Sequence, residues 1–316
     1  MGGLDNKRVV ITGASSGIGV AAARAFAREG ANVALLARSR TGLDKAAAGA
    51  RGEGATAHVI PVDLTDRDAA TRAVAEAAER LHGIDVLVSN AAAATYGRFR
   101  DMSAEDFDRT VLATFNSAVY AIRAALPELE KTGGVLVANV STASRTGIPD
   151  QAPYTASKHA LRGLLSALRV ELLSDGSSVR VAMVHPSPID TPFWRNATSV
   201  AGVQPKPLRS TYAPDVAAAA LVEAAVHPRA EVTVGSSGLL VNLLSAVARP
   251  LSDLALATYG IAGQRSDEPA ESPGAVYAPS GEGRETGGYR GRGSVITALR
   301  LRRSDLLPLP GLRRPR

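Results

Sequence analysis

The 316-residue sequence predicts an α/β fold in which about seven strands form a parallel sheet wound by helices on both faces. Short apolar runs rich in β-branched residues recur along the chain, at 7–12, 32–37, 56–62, 84–89, 134–140, 178–184 and 231–234. Helical patterns of ten or more residues alternate with these runs, as at 67–81 and 104–129. Alternation of this kind is typical of parallel strands joined by helical crossovers.

The composition excludes several classes of protein. The chain has no cysteine, which rules out disulfides, thiolate metal sites and a cysteine nucleophile, and it fits a cytoplasmic location. Its five histidines are scattered without ligand spacing, so no metal site is predicted. Residues 264–316 hold ten arginines and six acidic residues, a net +4 out of the total +6. The body is therefore nearly neutral, which argues against a specific nucleic-acid-binding surface.

A glycine-rich turn joins the first strand to the first helix. Its residues are Gly13-Ala14-Ser15-Ser16-Gly17-Ile18-Gly19. A turn between a strand and a helix lets the backbone approach a pyrophosphate, and the helix N-terminus favours negative charge. A structural turn without a ligand is the alternative. The same residues also spell the G-x-S-x-G of a hydrolase nucleophile elbow, but only a dozen residues precede it and no histidine follows in an obvious triad context.

The end of the second strand indicates which dinucleotide binds. An acidic residue at this point would favour NAD by binding the ribose 2′-hydroxyl. The sequence has Ala37 followed by Arg38, and a guanidinium suits a 2′-phosphate. The prediction is therefore NADP(H), with a solvated basic loop as the alternative.

Tyr154 and Lys158 form the candidate catalytic pair. Four residues separate them at the start of a helical pattern, so both side chains lie on one face, one turn apart. A nearby cation favours the phenolate, so we expect Lys158 to lower the pKa of Tyr154 toward the range of a general acid or base. Alternatively, the two merely share a solvated helix face.

These motifs together resemble the short-chain dehydrogenase/reductase family over residues 6–235. The resemblance rests on the ordered series Thr12-Gly13-x-x-x-Gly17-x-Gly19, Asp63 after the third strand, Asn90-Ala91-Ala92 after the fourth, Ser141 after the fifth, Tyr154-x-x-x-Lys158, and Pro186 and Thr191 after the sixth. It implies a Rossmann-type fold and reversible hydride transfer between NADP(H) and a carbonyl or secondary alcohol, without a metal.

The resemblance also implies roles for single residues. Tyr154 resembles the proton donor and acceptor, Lys158 the residue that holds the nicotinamide ribose, and Ser141 the residue that orients the substrate. Thr114 occupies the place of an asparagine in the proton relay. The implied cofactor contacts are Gly13, Ser15, Ser16, Gly17, Ile18, Gly19, Arg38, Asp63, Leu64, Asn90, Ala91, Tyr154, Lys158, Pro186 and Thr191.

Three positions depart from the usual family pattern. Ala92 stands where a glycine is usual, Ser187 replaces the glycine after Pro186, and Thr114 replaces the relay asparagine. They motivate a second hypothesis, an NADP(H)-binding regulatory or partner-binding protein with little catalysis.

The chain divides into three regions in this interpretation. The catalytic domain spans 1–237 and includes a segment with Phe193 and Trp194, which predicts a hydrophobic substrate unless these residues only pack in the core. The apolar pattern of residues 238–263 predicts two short helices hinged at Pro250. We expect these helices to pack on the body, at a subunit contact or on a membrane surface. Residues 264–316 predict a basic, mostly disordered tail with an RGG-like tract and one short docked element at 295–301.

The expected partners follow from the resemblance and the tail. The helices beginning at Ser103 and Tyr154 are where the family usually dimerises, so a homodimer or homotetramer is expected. A weak contact of residues 238–316 with a membrane or an anionic partner is the further expectation.

Overall fold

The computed structural model describes residues 3–208, 210–270, 273–279, 283–294, 297–298 and 301. The strands are β1 (Arg8–Thr12), β2 (Asn32–Ala37), β3 (Ala57–Pro61), β4 (Val86–Ser89), β5 (Thr95–Tyr96), β6 (Val135–Asn139), β7 (Arg180–Pro186), β8 (Thr198–Ser199), β9 (Val203–Pro205), β10 (Glu231–Val234) and β11 (Arg265–Pro269). The helices are α1 (Gly17–Arg28), α2 (Arg40–Gly52), α3 (Arg67–Leu81), α4 (Ala104–Val111), α5 (Ser117–Thr132), α6 (Ala152–Ser174), α7 (Pro214–Val226), α8 (Ser236–Val247), α9 (Arg249–Ala255) and α10 (Ile261–Gln264).

Seven strands form one sheet in the order β3-β2-β1-β4-β6-β7-β10, with every neighbouring pair parallel. The predicted parallel sheet is therefore confirmed. Residues such as Val9, Val10 and Ile11 are fully buried, as expected for a sheet covered on both faces. Because the strands are parallel, their carboxyl ends meet at one edge, where the segments after β1, β4, β6 and β7 converge.

Helices cover both faces of the sheet. One core contains buried residues of α1, α2 and α7, and the other contains those of α3, α5 and α6. This arrangement confirms the doubly wound architecture. Helix α2 is not identified from the sequence. Its buried residues Leu43, Ala46, Ala47 and Ala50 follow helical spacing, but the short alanine side chains give a weak signal.

The long helix predicted over 104–129 is interrupted. A π-helical segment, Leu112–Asn116, separates α4 from α5. Such a segment adds one residue to a turn and shifts the side chains that follow it. It contains Thr114, which is completely buried.

The apolar stretch after β10 folds as two short helices, α8 and α9, that meet at Ala248, just before Arg249 and Pro250. The break between the helices lies at Ala248, and Pro250 stands in the first turn of α9. Six large apolar or aromatic side chains on the outer side of this extension are exposed: Leu240, Leu243, Val247, Leu251, Leu254 and Tyr259. Among the residues that the structure describes, no helix combines the length and apolar character needed to cross a bilayer.

The structure differs from the sequence prediction in the tail. Strand β11 pairs antiparallel with β9, and Ala298 and Leu301 are buried in the core that contains α7. Residues 273–279 and 283–294 also make hydrogen bonds to the body. These parts of the tail are therefore packed against the body rather than disordered. Strand pairing, hydrogen bonds and the burial of two apolar side chains hold them there. Residues 302–316 lie outside the described residues.

Candidate active site

The glycine-rich turn is packed too closely for larger residues. Gly13 has φ +66°, and a Cβ placed on it would lie 2.7 Å from the Cα of Ala91. A Cβ on Gly19 would lie 2.2 Å from the carbonyl oxygen of Gly13. The turn therefore folds back on its own helix, and α1 begins at Gly17 with its N-terminus at the carboxyl edge of the sheet. This is the geometry that suits an anionic group.

Asn90 joins the turn to the neighbouring strands. Its backbone N–H donates to Thr12 Oγ1 at 2.9 Å, and its Nδ2 donates to the carbonyl oxygens of Thr12 and Gly13 at 3.1 and 3.3 Å. Asn139 Nδ2 in turn donates to Asn90 Oδ1 at 2.9 Å. The ends of β1, β4 and β6 are thus held together by two amide side chains.

Ser141, Tyr154 and Lys158 come together beside this edge. Tyr154 and Lys158 occupy successive turns of α6 and are buried, and the Lys158 Nζ lies 5.6 Å from the centre of the Tyr154 ring. The ammonium donates to the carbonyl oxygen of Asn139 at 2.8 Å. The Ser141 side chain stabilises the charged form of the Tyr154 phenol and so acts to lower its pKa. Asn139 was not singled out from the sequence, because a backbone acceptor leaves no residue-type signal.

Burial shifts the pKa values of the pair away from the sequence expectation. It raises the pKa of Tyr154 to about 12, while the hydrogen bond from Ser141 acts in the opposite direction. Burial also lowers the pKa of Lys158 to about 7. The expectation that Lys158 lowers the pKa of Tyr154 is therefore not met in the structure, since the cost of a charge in a dry site outweighs the attraction of a partly protonated amine.

Thr114 is not linked to Lys158 by a hydrogen bond in the structure. Its Oγ1 donates to the carbonyl oxygen of Ala93 at 2.6 Å and accepts from the Ala93 N–H at 3.1 Å. The hydroxyl is thus engaged with the loop after β4, and Lys158 is bound by Asn139 instead.

A cavity of about 330 Å³ connects these groups. Its walls include all of the predicted site residues except Gly19 and Thr114. Gly19 serves the packing of the turn, as its close approach to Gly13 requires. Arg38 lies at the same cavity and donates from Nη2 to the carbonyl oxygen of Ala275, at 2.5 Å.

The rest of the cavity is mainly apolar. Its aliphatic and aromatic lining comes from the segments after β6 and β7 and from the helical extension: Ile148, Phe193, Trp194, Leu208, Val241 and Leu256. The Phe193 ring centre lies 5.3 Å from that of Tyr154 and 5.7 Å from that of Trp194. Trp194 is therefore both a packed residue and a part of the cavity wall. Gln151 and Gln264 add two polar groups, with Gln151 donating to Gln264.

Sequence reasoning did not place the helical extension or the tail at this cavity. Gly238 and Val241 of α8, Leu256, Gln264 and Ala275 all line it. The helical spacing of the apolar residues predicts helices, but it does not say which surface the inner face covers.

Comparison with known proteins places these motifs in context. The family model described as short chain dehydrogenase matches residues 7–202. The Bacillus subtilis protein called uncharacterized oxidoreductase YxnA is 32% identical over 270 residues, which cover 84% of this chain and 76% of that protein. The Bos taurus dehydrogenase/reductase SDR family member 4 is 34% identical over 194 residues, covering 61% of this chain and 69% of that one.

A solved structure has the same fold. The alcohol dehydrogenase from the archaeon Thermococcus sibiricus, in complex with 5-hydroxy-NADP, is 29% identical and superposes with a TM-score of 0.64. The match covers 72% of this chain and 95% of that one.

The close packing of Gly19 can be tested by substitution. Gly19→Ala should lower the free energy of unfolding by about 2 kcal/mol, because the new methyl group overlaps the Gly13 carbonyl. Thermal or urea unfolding measures the change. Gly49→Ala in α2 is the matched control, since its Cβ would meet nothing within 4 Å and should leave stability unchanged or slightly higher. Equal effects of the two changes would contradict the packing argument.

Proposed function

Since the chain belongs to the short chain dehydrogenase family, we propose that it is an NADP(H)-dependent oxidoreductase acting on a hydrophobic carbonyl compound or secondary alcohol. One observation carries the proposal. The buried Tyr154 and Lys158, together with the partly buried Ser141, face a largely apolar cavity that continues to the glycine turn and to Arg38. The cavity thus offers a catalytic end, an apolar substrate end and a phosphate-binding end.

Each catalytic residue has a separate role in the proposed reaction. When bound, the nicotinamide supplies or accepts the hydride at the substrate carbon. In reduction, Tyr154 gives its phenolic proton to the oxygen as the carbonyl becomes an alcohol. Ser141 donates a hydrogen bond to the same oxygen, where negative charge develops. Lys158, held by Asn139, places its amine beside the phenol and supplies a donor for the cofactor ribose.

The remaining cavity residues would hold the dinucleotide. We assign the pyrophosphate to the turn at Gly13–Gly19 and the 2′-phosphate to Arg38. The other proposed contacts are Asp63 and Leu64 at the adenine, Asn90 and Ala91 at the adenosine ribose, and Pro186 and Thr191 at the nicotinamide. We propose that Thr114 supports the loop after β4 through Ala93 instead of relaying protons.

The alternative, a dinucleotide-binding regulator with little catalysis, is disfavoured by the free energy that burying the catalytic side chains costs. Burying the amine of Lys158 is unfavourable, and cofactor binding alone does not need a tyrosine and a serine hydrogen-bonded beside it. The packed tail also supports this view, because its described parts are occupied by contacts with the body.

We further propose that the enzyme is a homodimer or homotetramer. Helix α6 carries two large apolar residues that are exposed in the single chain, Val170 at 61% and Leu173 at 58%. These side chains would be covered if α6 packs against its copy. Light scattering of the purified protein measures the assembly directly.

Arg38 should discriminate between the two nicotinamide dinucleotides. Arg38→Ala should weaken NADPH binding by about 10- to 100-fold, because it removes charge-assisted hydrogen bonds to the 2′-phosphate. NADH affinity should change little. Titration of protein fluorescence measures both. Arg40→Ala removes a similar charge from an exposed pair with Asp44 and should leave both affinities unchanged. Equal loss for NADPH and NADH in Arg38→Ala would contradict the assignment.

Tyr154 should be essential for turnover. Tyr154→Phe should lower kcat by about 1000-fold or more, because it removes the proton donor while it keeps the aromatic packing. A screen of ketones and alcohols that follows NADPH absorbance supplies the assay. Tyr259→Phe changes an exposed tyrosine and should retain full activity. Undiminished turnover in Tyr154→Phe would exclude the mechanism.

The two reaction directions should depend on pH differently. The pKa of Tyr154, raised to about 12, keeps the phenol protonated through the neutral range. Carbonyl reduction should therefore not lose rate through tyrosine ionisation below that pKa. Alcohol oxidation needs the phenolate as a base, so its kcat/KM should rise with pH, by up to about tenfold per pH unit. Profiles of kcat/KM between pH 6 and 10 test this, and an oxidation rate that falls as pH rises would contradict it.

A further inference from the structure

A segment of the tail runs across the mouth of the proposed cofactor site. We call residues 273–279 and 283–294 the strap. At its start, Thr198 Oγ1 donates to the Pro273 carbonyl at 2.8 Å and the Ala275 N–H donates to the Asn196 carbonyl at 2.6 Å. The strap therefore leaves from the rim beside the apolar end of the cavity, where Asn196 lies.

The strap then contacts the groups assigned to the cofactor phosphates. The Ala275 carbonyl accepts from Arg38. Further along, the Gly283 N–H donates to the Ser15 carbonyl at 3.2 Å, and the Gly17 N–H donates to the Arg284 carbonyl at 2.9 Å. The strap thus lies along the outside of the glycine turn.

Two polar contacts fasten the strap beyond the turn. Glu285 forms a two-point ion pair with Arg24 of α1, at 2.7 and 2.9 Å. The buried carboxylate of Asp190 accepts three strap N–H groups, each at 2.9 Å. The donors are those of Gly287, Tyr289 and Gly291. Asp190 immediately precedes Thr191, so this contact reaches the segment assigned to the nicotinamide.

The glycines of the strap allow this close approach. A Cβ on Gly287 would lie 2.4 Å from the Thr191 carbonyl oxygen, and one on Gly291 would lie 2.6 Å from the Cβ of Asp190. The RGG-like composition that suggested a disordered or RNA-binding tail thus has a packing reason within this chain.

The strap borders the cavity without filling it. Among the strap residues that the structure describes, Ala275 is the one that lines the cavity. Arg38 uses one of its five N–H donors on Ala275, which leaves others for a phosphate. The space next to the glycine turn therefore remains available beneath the strap.

Both ends of the strap are anchored. Before it, β11 pairs with β9. After it, Thr297 Oγ1 accepts from the Gly235 N–H at 3.1 Å, and Ala298 and Leu301 are buried in the main core. A dinucleotide can therefore exchange past the strap if its middle contacts open while its ends stay fixed.

We propose that the strap is the outer wall of the cofactor-binding site and that opening of its Arg24–Glu285 and Asp190 contacts controls dinucleotide exchange. This inference rests on the proposed function, since it takes the nicotinamide dinucleotide as the ligand. The bound cofactor lies in the cavity that the glycine turn and Ala275 of the strap border. Release requires the middle of the strap to detach, so each contact that holds the strap slows release.

The test compares two ion pairs on the same helix. Glu285→Gln breaks the strap's pair with Arg24, whereas Glu53→Gln breaks a pair with Arg28, one turn further along α1 and outside the strap. NADPH is bound to the full-length protein and displaced with excess NADP⁺ in a stopped-flow instrument while its fluorescence is recorded. Release should be about fivefold faster in Glu285→Gln, as expected for loss of a partly buried two-point ion pair. Glu53→Gln should match the unaltered chain.

Equal release rates in all three proteins would overturn the strap proposal and leave the proposed function intact. Absence of NADPH binding by the unaltered chain would overturn the proposed function as well, so the two failures are distinguishable.

A second measurement needs no substitution. Trypsin can cut the strap after Arg284, Arg290 and Arg292 when it detaches. Saturating NADPH should slow these cleavages by about fivefold, because the closed strap holds the cofactor and is held by it. Mass spectrometry identifies the cut sites. Unchanged cleavage, or faster cleavage with NADPH, would show that the cofactor does not lie beneath the strap and would overturn the proposal.

Discussion

The site depends on one hydrogen-bonded row across the carboxyl ends of three neighbouring strands. Thr12, Asn90 and Asn139 end or follow β1, β4 and β6, and the two asparagine amides connect them. The row continues from the Asn139 carbonyl to the ammonium of Lys158 on α6. At the ends of parallel strands, backbone N–H and C=O groups lack a hydrogen-bond partner on the neighbouring strand. When these groups are buried they need other hydrogen bonds. Satisfying them here also fixes the catalytic helix relative to the glycine turn.

Ser141 is held beside this row in an unfavourable backbone conformation. Its φ of +63° is rare for a residue with a Cβ, so its surroundings must stabilise it. The Ser144 hydroxyl donates to the Ser141 carbonyl at 2.7 Å, and its oxygen lies 3.0 Å from His185 Nδ1. Because the single proton of Ser144 is used on Ser141, the imidazole must donate in this second bond. Burial, and then the nearby Arg145, lower the pKa of His185 to about 3. The ring is therefore neutral across the neutral range, and the support of Ser141 does not change with pH there.

The sequence predicts the parts of this molecule that follow from local pattern. The seven strands, the glycine turn and the helix with Tyr154 and Lys158 each have a periodicity or a motif, and the structure brings nearly all of the candidate residues to one cavity. The predicted pKa shift of Tyr154 had the wrong direction, because spacing reveals the neighbouring cation but not the burial of both groups. The Asn139 carbonyl binds the ammonium of Lys158, and the Ser144 hydroxyl binds the Ser141 carbonyl. No recognisable motif marks either contact in the sequence.

The tail shows most clearly why composition alone is a weak guide. A segment rich in glycine, arginine and serine has too little apolar surface to form a core of its own, which is why it predicts disorder. That reasoning fails when an existing surface supplies the partners. Asp190 offers a buried carboxylate to three backbone N–H groups, and removing a charge from water without such donors would be strongly unfavourable. The three strap N–H groups therefore stabilise the Asp190 carboxylate where the strap covers it. Positions 287 and 291 are glycine because the strap backbone lies so close to the body there, and not because the segment needs flexibility. A side chain at either position would push the strap away from the Asp190 carboxylate that holds it.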